Sequence, residues 1–201
     1  MKNPMNKTLI KARTALLTSA TLCIGFAAPA LAESHMNLSS WPEASQKAAQ
    51  HMIDTYGEPA HITDHELIWY ETGPWAKTVI YDTETTHNFP VTHPDVMQQW
   101  IEMSVPADMF DDLANYDGSV VVNRTEGLIS ARCDKEAANF LAINLAYDIV
   151  QGNKTVEEAR QFYADTIEQV MSGETPEYVQ GFIFEPTSED VSDPDVSIIE
   201  G

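Results

Sequence analysis

The nine residues from Met97 to Val105 constrain the fold of this chain more than any other segment. Met97, Ile101 and Val105 belong to one set of alternate positions, and the positions between them carry Gln98, Trp100, Glu102 and Ser104. A period of two indicates a β-strand with one buried face. The chain therefore contains a sheet, and Pro106 ends this strand of it.

Helical and strand patterns on both sides of this segment define the fold class. Two short strands, 66–70 and 77–81, are joined by turn residues, and a second hairpin covers 119–133. Apolar positions at helical spacing predict helices after Pro42, Pro106, Asp134 and Thr155. The pattern predicts an α+β fold of two layers, with helices packed on one face of a mainly antiparallel sheet of about five strands.

Two helix starts and one connection are predicted from local chemistry. Asp134 is expected to cap the longest helix, and Thr155 and Glu158 form a capping box for the last one. Residues 82–94 show no period and contain two prolines, so we expect an ordered loop of about a dozen residues. Loops of this length are often functional.

The N-terminal segment predicts export from a bacterial cell. Four bases precede an uncharged apolar stretch at 14–28, and Ala30 and Ala32 occupy the positions that a signal peptidase requires. The apolar stretch is shorter than the roughly 20 residues of a membrane helix, although an N-terminal anchor is the alternative. We therefore predict a signal peptide at 1–32, no membrane span after its cleavage, and a periplasmic or secreted product.

The rest of the chain divides into three parts. Residues 33–42 are expected to be a tether, and residues 43–173 to be a single α+β domain. Residues 174–201 carry eight acids and no base, so we expect an acidic and mostly disordered tail.

The charge of the chain excludes two classes of partner. After residue 32 the sequence has seven bases against 31 acids, a formal charge of −24. Such a surface repels phosphate backbones and anionic headgroups, so nucleic acids and membrane surfaces are not expected partners. A protein or a small-molecule ligand of unknown identity remains.

The histidines offer a metal site. All six lie between His35 and His93, and His87 and His93 flank Pro90 with Asp82, Glu84 and Asp95 close by in sequence. A chain that folds back at Pro90 brings two imidazoles and a carboxylate onto one cation, the donor set of zinc, copper or nickel. His61 and His65 are further candidate ligands. The alternative is that these histidines only face water or form hydrogen bonds with the backbone. A divalent transition metal is the one cofactor that the sequence suggests, and no other is predicted.

Cys133 is the one candidate catalytic residue. It is the sole cysteine after residue 32, and it stands between a strand and the start of a helix, where a thiolate can be stabilised. With a loop histidine as base it could act as a nucleophile. Strand parity places it with Ile129 and Ala131, however, and this favours a buried core thiol.

Aromatic residues of the first hairpin suggest a binding surface. Trp69 and Tyr70 are consecutive in a strand and point to opposite faces, so one of them, with Trp75, is expected to form an exposed platform. The alternative is that a loop or the first helix covers that face.

We favour a binding or interaction module of the cell envelope, because the sequence shows no phosphate loop, no nucleophile elbow and no helical zinc motif. The alternatives are a metal-binding protein that uses the loop histidines, and a hydrolase-type enzyme with its site in residues 82–94. An enzyme is the less favoured class.

Overall fold

The computed structural model describes residues 37–186 and 191–199. The predicted signal peptide at 1–32 and the first four residues of the predicted tether lie outside these ranges. Within them, no helix is both long enough and apolar enough to cross a bilayer.

Four α-helices and six β-strands make up the regular structure of the described residues. The helices are α1 (Glu43–Tyr56), α2 (Phe110–Tyr116), α3 (Glu136–Val150) and α4 (Val156–Met171). The strands are β1 (His61–Ile62), β2 (Glu66–Thr72), β3 (Trp75–His87), β4 (His93–Glu102), β5 (Val121–Asn123) and β6 (Leu128–Cys133). Short 3-10 turns precede α2 and follow α4, at Ala107–Met109 and Glu177–Val179.

The six strands form one antiparallel sheet in the order β1-β2-β3-β4-β6-β5. The predicted α+β fold of two layers is confirmed. The strand predicted at 97–105 is β4, which begins and ends earlier, although Met103 and Val105 beyond it are still buried. The sixth strand, β1, has only two residues, too few to produce a periodic pattern in the sequence.

Gln99 on β4 shows that α1 and α3 cover the same face of the sheet. Its side chain is fully buried, accepts a hydrogen bond from Asn139 on α3 at 2.9 Å, and contacts the sulfur of Met52 on α1 at 3.9 Å. Met97 and Ile101 share this face of β4 and are also buried. The remaining helices, α2 and α4, pack against α3.

The loop expected at residues 82–94 is for the most part a β-hairpin. Strand β3 continues to His87 and β4 begins at His93, so only residues 88–92 connect them, with a cis peptide bond between Phe89 and Pro90. An irregularity in register between Ile80 and Thr85 interrupts the pairing. Residues 82–87 of β3 are polar and show no apolar alternation, so their sequence predicted a loop. Their threonines nevertheless favour a strand.

The two predicted helix starts have different outcomes. The capping box of α4 is confirmed: the backbone amide of Glu158 donates to Thr155 Oγ1 at 3.2 Å, and that of Thr155 donates to Glu158 Oε2 at 2.8 Å. The cap predicted at Asp134 is wrong, because Lys135 occupies the cap position of α3 and no side chain caps it. The Asp134 carboxylate instead lies 3.1 Å from the ammonium group of Lys135.

Both ends of the predicted domain extend further than the sequence indicated. Trp41, in the predicted tether, is buried with α1 against the sheet. Residues 174–186, assigned to a mostly disordered tail, pack against α3: Asn144 donates to the carbonyls of Tyr178 and Gly181 at 3.0 and 2.8 Å. Phe182 and Phe184 pack against the hydrophobic core that contains α3.

Candidate metal centre

The β3–β4 hairpin brings His87 and His93 together across its end. These two residues are direct partners in the antiparallel register, and their ring centroids lie 5.0 Å apart. The prolines and the spacing of the two histidines in the sequence predicted this encounter. The geometry results from strand pairing, which fixes the two Cα positions more tightly than a long loop would.

Asp95 completes a group of three candidate ligands. It lies two residues beyond His93 on β4 and therefore on the same face, and only 4% of it is exposed. One potential ligand atom from each of His87, His93 and Asp95 lies within 4.8 Å of the others. In a tetrahedral zinc site with bonds of about 2.1 Å, ligand atoms lie about 3.4 Å apart, so the three side chains must move closer together to bind one ion.

The polar atoms that face one another in this group lack hydrogen bonds. Nδ1 of His87, Nε2 of His93 and Oδ1 of Asp95 are buried and have no hydrogen-bond partner in the part of the chain that the structure describes. Nε2 of His93 and Oδ1 of Asp95 are 3.2 Å apart, within ion-pair distance but not aligned for a hydrogen bond. Nδ1 of His87 lies 3.4 Å from Oδ2 of the same carboxylate.

The opposite nitrogen of each ring is directed at an acceptor. Nδ1 of His93 lies 2.8 Å from the carbonyl oxygen of Val91 and must donate to it, which leaves a lone pair on Nε2 when the ring is neutral. Nε2 of His87 lies 3.6 Å from Oδ1 of Asp117. Asp117 is itself held by the backbone amide and hydroxyl of Ser119, both at 2.8 Å. Protein ligands to metals commonly have outer partners of this kind.

A positive charge on His93 is stabilised by its surroundings. The Asp95 carboxylate and the neighbouring Cys133 raise the pKa of His93 to about 11, although partial burial opposes this. A proton on His93 is therefore one way to neutralise the buried carboxylate. A metal cation that replaces this proton is the other, and it satisfies all three unpartnered atoms at once.

Cys133 lies beside this group without joining it. The thiol is buried and next to His93, but it is not among the side chains whose ligand atoms converge. Burial raises its pKa, and this outweighs the opposing effect of His93. As expected, it stands between a strand and a helix: it is the last residue of β6, and Asp134 and Lys135 separate it from the first residue of α3.

His61 and His65 lie elsewhere. His61 is on the edge strand β1, with its ring edge-on to Tyr70 at 5.8 Å between centroids. His65 is exposed, and its Nδ1 lies 2.6 Å from the carboxylate of Asp82, which is the largest cause of its raised pKa. The structure does not bring either residue to His87 and His93.

The aromatic platform expected on the first hairpin is wrong for both tryptophans, which are buried in the core. Trp69 is 2% exposed and Trp75 is 1% exposed, whereas Tyr70 is 47% exposed. The indole nitrogens of Trp69 and Trp75 donate to Gly57 O at 2.9 Å and Glu136 Oε1 at 2.7 Å. Each tryptophan has a polar partner inside the domain, which is what permits its burial.

Asp117 is the site residue that sequence reasoning missed. In the sequence, Asp117 and Gly118 form an Asp-Gly pair typical of a turn, and this accounts for Asp117 without any role toward His87. It follows α2 and is distant in sequence from the β3–β4 hairpin. No local pattern connects the two.

No protein-family model, no curated protein and no solved structure matches this chain.

Proposed function

We propose that this protein binds a divalent transition metal ion through His87, His93 and Asp95. The observation that carries the proposal is that the three side chains each offer a ligand atom within 4.8 Å of the others, and that each has one buried polar atom without a hydrogen bond. Leaving a buried polar group without a partner is destabilising by about 1–3 kcal/mol, and a charged group by more. A bound cation gives each of these atoms a partner, as an alternative to the ion pair between protonated His93 and Asp95.

The donor set favours zinc, copper or nickel over magnesium or calcium. Two imidazole nitrogens and one carboxylate oxygen suit borderline cations, whereas the hard cations prefer oxygen ligands alone. Nε2 of His93 and Nδ1 of His87 are the ligating atoms, because the other nitrogen of each ring is directed at Val91 O or Asp117. Asp95 supplies the negative charge.

Three protein ligands leave one tetrahedral position open. Structural zinc sites are normally closed by a fourth protein ligand, while catalytic and ligand-binding sites keep a position for water or a substrate. The set of three protein ligands therefore supports a catalytic or ligand-binding zinc site. It also keeps the hydrolase hypothesis for residues 82–94 as a proposal, dependent on the metal.

The other functional expectations stay predictions. The prediction of an interaction module of the cell envelope depended on an exposed aromatic platform. Tyr70 is exposed, but Trp69 and Trp75 are buried and no longer support that prediction. Export to the periplasm or the medium depends on residues 1–32, outside the described part of the chain.

Elemental analysis of untagged protein tests the proposal, followed by zinc titration against a chromophoric chelator. We expect one ion per chain, with affinity at least about 100-fold lower in His87→Ala and His93→Ala. The matched controls are His61→Ala and His65→Ala, which remove imidazoles that lie away from the site. Equal zinc affinity in all four variants, or no bound metal in the unaltered chain, refutes the proposal.

A further inference from the structure

A cavity of about 340 Å³ lies directly beside the candidate metal centre. His93 and Cys133 are among its lining residues, together with Tyr163 of α4. Most of the remaining wall is apolar and comes from the hairpin turn, α3, α4 and the last 3-10 turn: Val91, Ala138, Ile167, Val170 and Val179. The volume lies within the range of small-molecule sites, and so does the combination of apolar walls with few polar groups.

His93 connects the cavity to the metal centre. His93 is one of the residues that line the cavity, and it is also one of the three candidate ligands of the metal centre. A molecule in the cavity and an ion bound to this side chain therefore contact the same imidazole.

We infer that this cavity binds a small apolar monocarboxylate whose carboxylate group completes the coordination of the metal ion. The inference rests on the proposed metal site and names the class of ligand that the site takes. The apolar walls accept the hydrocarbon part of the ligand, because they remove it from water. The ion accepts the carboxylate, a common zinc ligand.

The charge of the protein makes the metal necessary for this ligand. A chain with a formal charge of −20 repels a free carboxylate, and the cavity wall itself contributes the acidic Asp134. Lys135 is the one lysine or arginine in the wall, and its ammonium group already lies 3.1 Å from Asp134. Binding of the anion is therefore expected to depend on the bound cation.

Octanoate is the test ligand, and its affinity is measured by calorimetry on the full chain with and without zinc. Acetate provides the head group alone and octan-1-ol the apolar part alone. We expect octanoate to bind the zinc-loaded protein at least about tenfold more tightly than the metal-free protein, and at least about tenfold more tightly than either partial ligand.

A pair of valine substitutions locates the binding. Val170→Trp fills the cavity from an exposed position on α4, and Val121→Trp adds the same side chain at an exposed position on β5 outside it. Val170→Trp is expected to weaken octanoate binding at least about tenfold at unchanged zinc content, and Val121→Trp to change neither. Met171→Trp, also in the cavity wall, replaces Val170→Trp if that variant does not fold.

The outcomes separate the two proposals. Zinc bound at one ion per chain, with octanoate affinity that is independent of zinc or equal in the two tryptophan variants, overturns the ligand inference and leaves the metal site standing. A chain that binds no zinc overturns both.

Discussion

The indole nitrogen of Trp75 donates a hydrogen bond of 2.7 Å to the carboxylate of Glu136 inside the protein core. Two further side chains share this carboxylate: the hydroxyl of Tyr56 donates to Oε1 at 2.8 Å, and Nε2 of His51 lies 2.9 Å from Oε2. Glu136 therefore links α1, β3 and the first turn of α3 through a single buried charge. Burial of the Tyr56 hydroxyl, together with its hydrogen bond to the Glu136 carboxylate, raises the pKa of Tyr56 above the ordinary tyrosine value.

Replacement of Glu136 by alanine is expected to lower the free energy of unfolding by about 3 kcal/mol, because it leaves the donors of Trp75 and Tyr56 without their partner. Urea unfolding followed by circular dichroism measures the change. Glu43→Ala is the matched control, since Glu43 is exposed and forms only a surface ion pair with Lys47. A loss for Glu136→Ala no larger than for the control contradicts the structural role.

The carboxylate of Asp117 lies 3.6 Å from Nε2 of His87, so its charge is expected to affect metal binding from outside the ligand set. Asp117→Asn keeps the shape of the side chain and an oxygen for Ser119, but it removes the negative charge next to Nε2 of His87. We expect zinc affinity to fall about 10–100-fold, as for other partners of ligating histidines.

Chelator competition measures this affinity, and Asp111→Asn provides the comparison. Asp111 is an exposed aspartate in the first turn of α2, and it takes no part in the site. If both asparagine variants bind zinc as tightly as the unaltered chain, the charge of Asp117 does not affect metal binding.

Asp148 is expected to stabilise the fold in a pH-dependent way. Burial opposes its ionisation, but hydrogen bonds from Lys154, Asn153 and Tyr178 outweigh burial and lower its pKa below the ordinary value of 3.8. A carboxyl whose pKa is lower in the folded than in the unfolded chain stabilises the fold above its ordinary pKa. That stabilisation disappears as the pH falls through the lowered value.

Asp148→Asn should therefore lower the free energy of unfolding by about 2 kcal/mol at pH 7, and the difference from the unaltered chain should shrink below pH 3.8. Urea unfolding at several pH values shows this directly. The exposed Asp165 of α4 supplies the control Asp165→Asn, for which little change is expected. A stability difference for Asp148→Asn that stays constant down to the acid limit argues against the hydrogen-bonded carboxylate as its source.

The thiol of Cys133 is expected to be unreactive in the folded protein. It is buried, and burial raises its pKa, so little thiolate is present at neutral pH. In a chain with Cys23→Ser, iodoacetamide should label Cys133 at least about 100-fold more slowly under native conditions than in denaturant. Equal labelling rates in the two conditions contradict this prediction and support Cys133 as a candidate nucleophile.

The fold and two of the three proposed ligands follow from local patterns in the sequence. Alternation predicted β4, and the prolines near His87 and His93 predicted that the chain folds back between them. Asp95 was one of three carboxylates close to these histidines in sequence, with Asp82 and Glu84, and the pattern did not distinguish among them. Each of these features is set by residues within a few positions of one another, and local patterns report such contacts well.

The features that the sequence did not predict depend on distant contacts. Asp117 meets His87 only because the chain after α2 packs beside the end of the β3–β4 hairpin. Trp75 is buried because Glu136, far along the chain, accepts its indole hydrogen. The polar end of β3 is a strand because β4 pairs with it, as in the register of Thr86 with Pro94. Periodicity contains no information about such partners.

Residues 174–186 are the clearest case, because their acidic composition suggested disorder while their aromatic side chains complete the core. Phe182 packs edge-on against Trp75 and Phe140, with ring centroids 5.0 Å away in both pairs. Its side chain is partly buried, so Phe182→Ala is expected to lower the free energy of unfolding by about 2 kcal/mol, somewhat less than for a fully buried phenylalanine.

The matched control is Val196→Ala, a truncation at a highly exposed position further along the same C-terminal segment, which should change the free energy of unfolding by less than about 0.5 kcal/mol. Limited proteolysis of the same variants adds a local measure, because loss of the Phe182 contacts should open residues 174–186 to cleavage before the rest of the domain unfolds. If Phe182→Ala matches Val196→Ala in both measurements, the segment contributes no packing energy and the domain ends near residue 173, as its composition indicated.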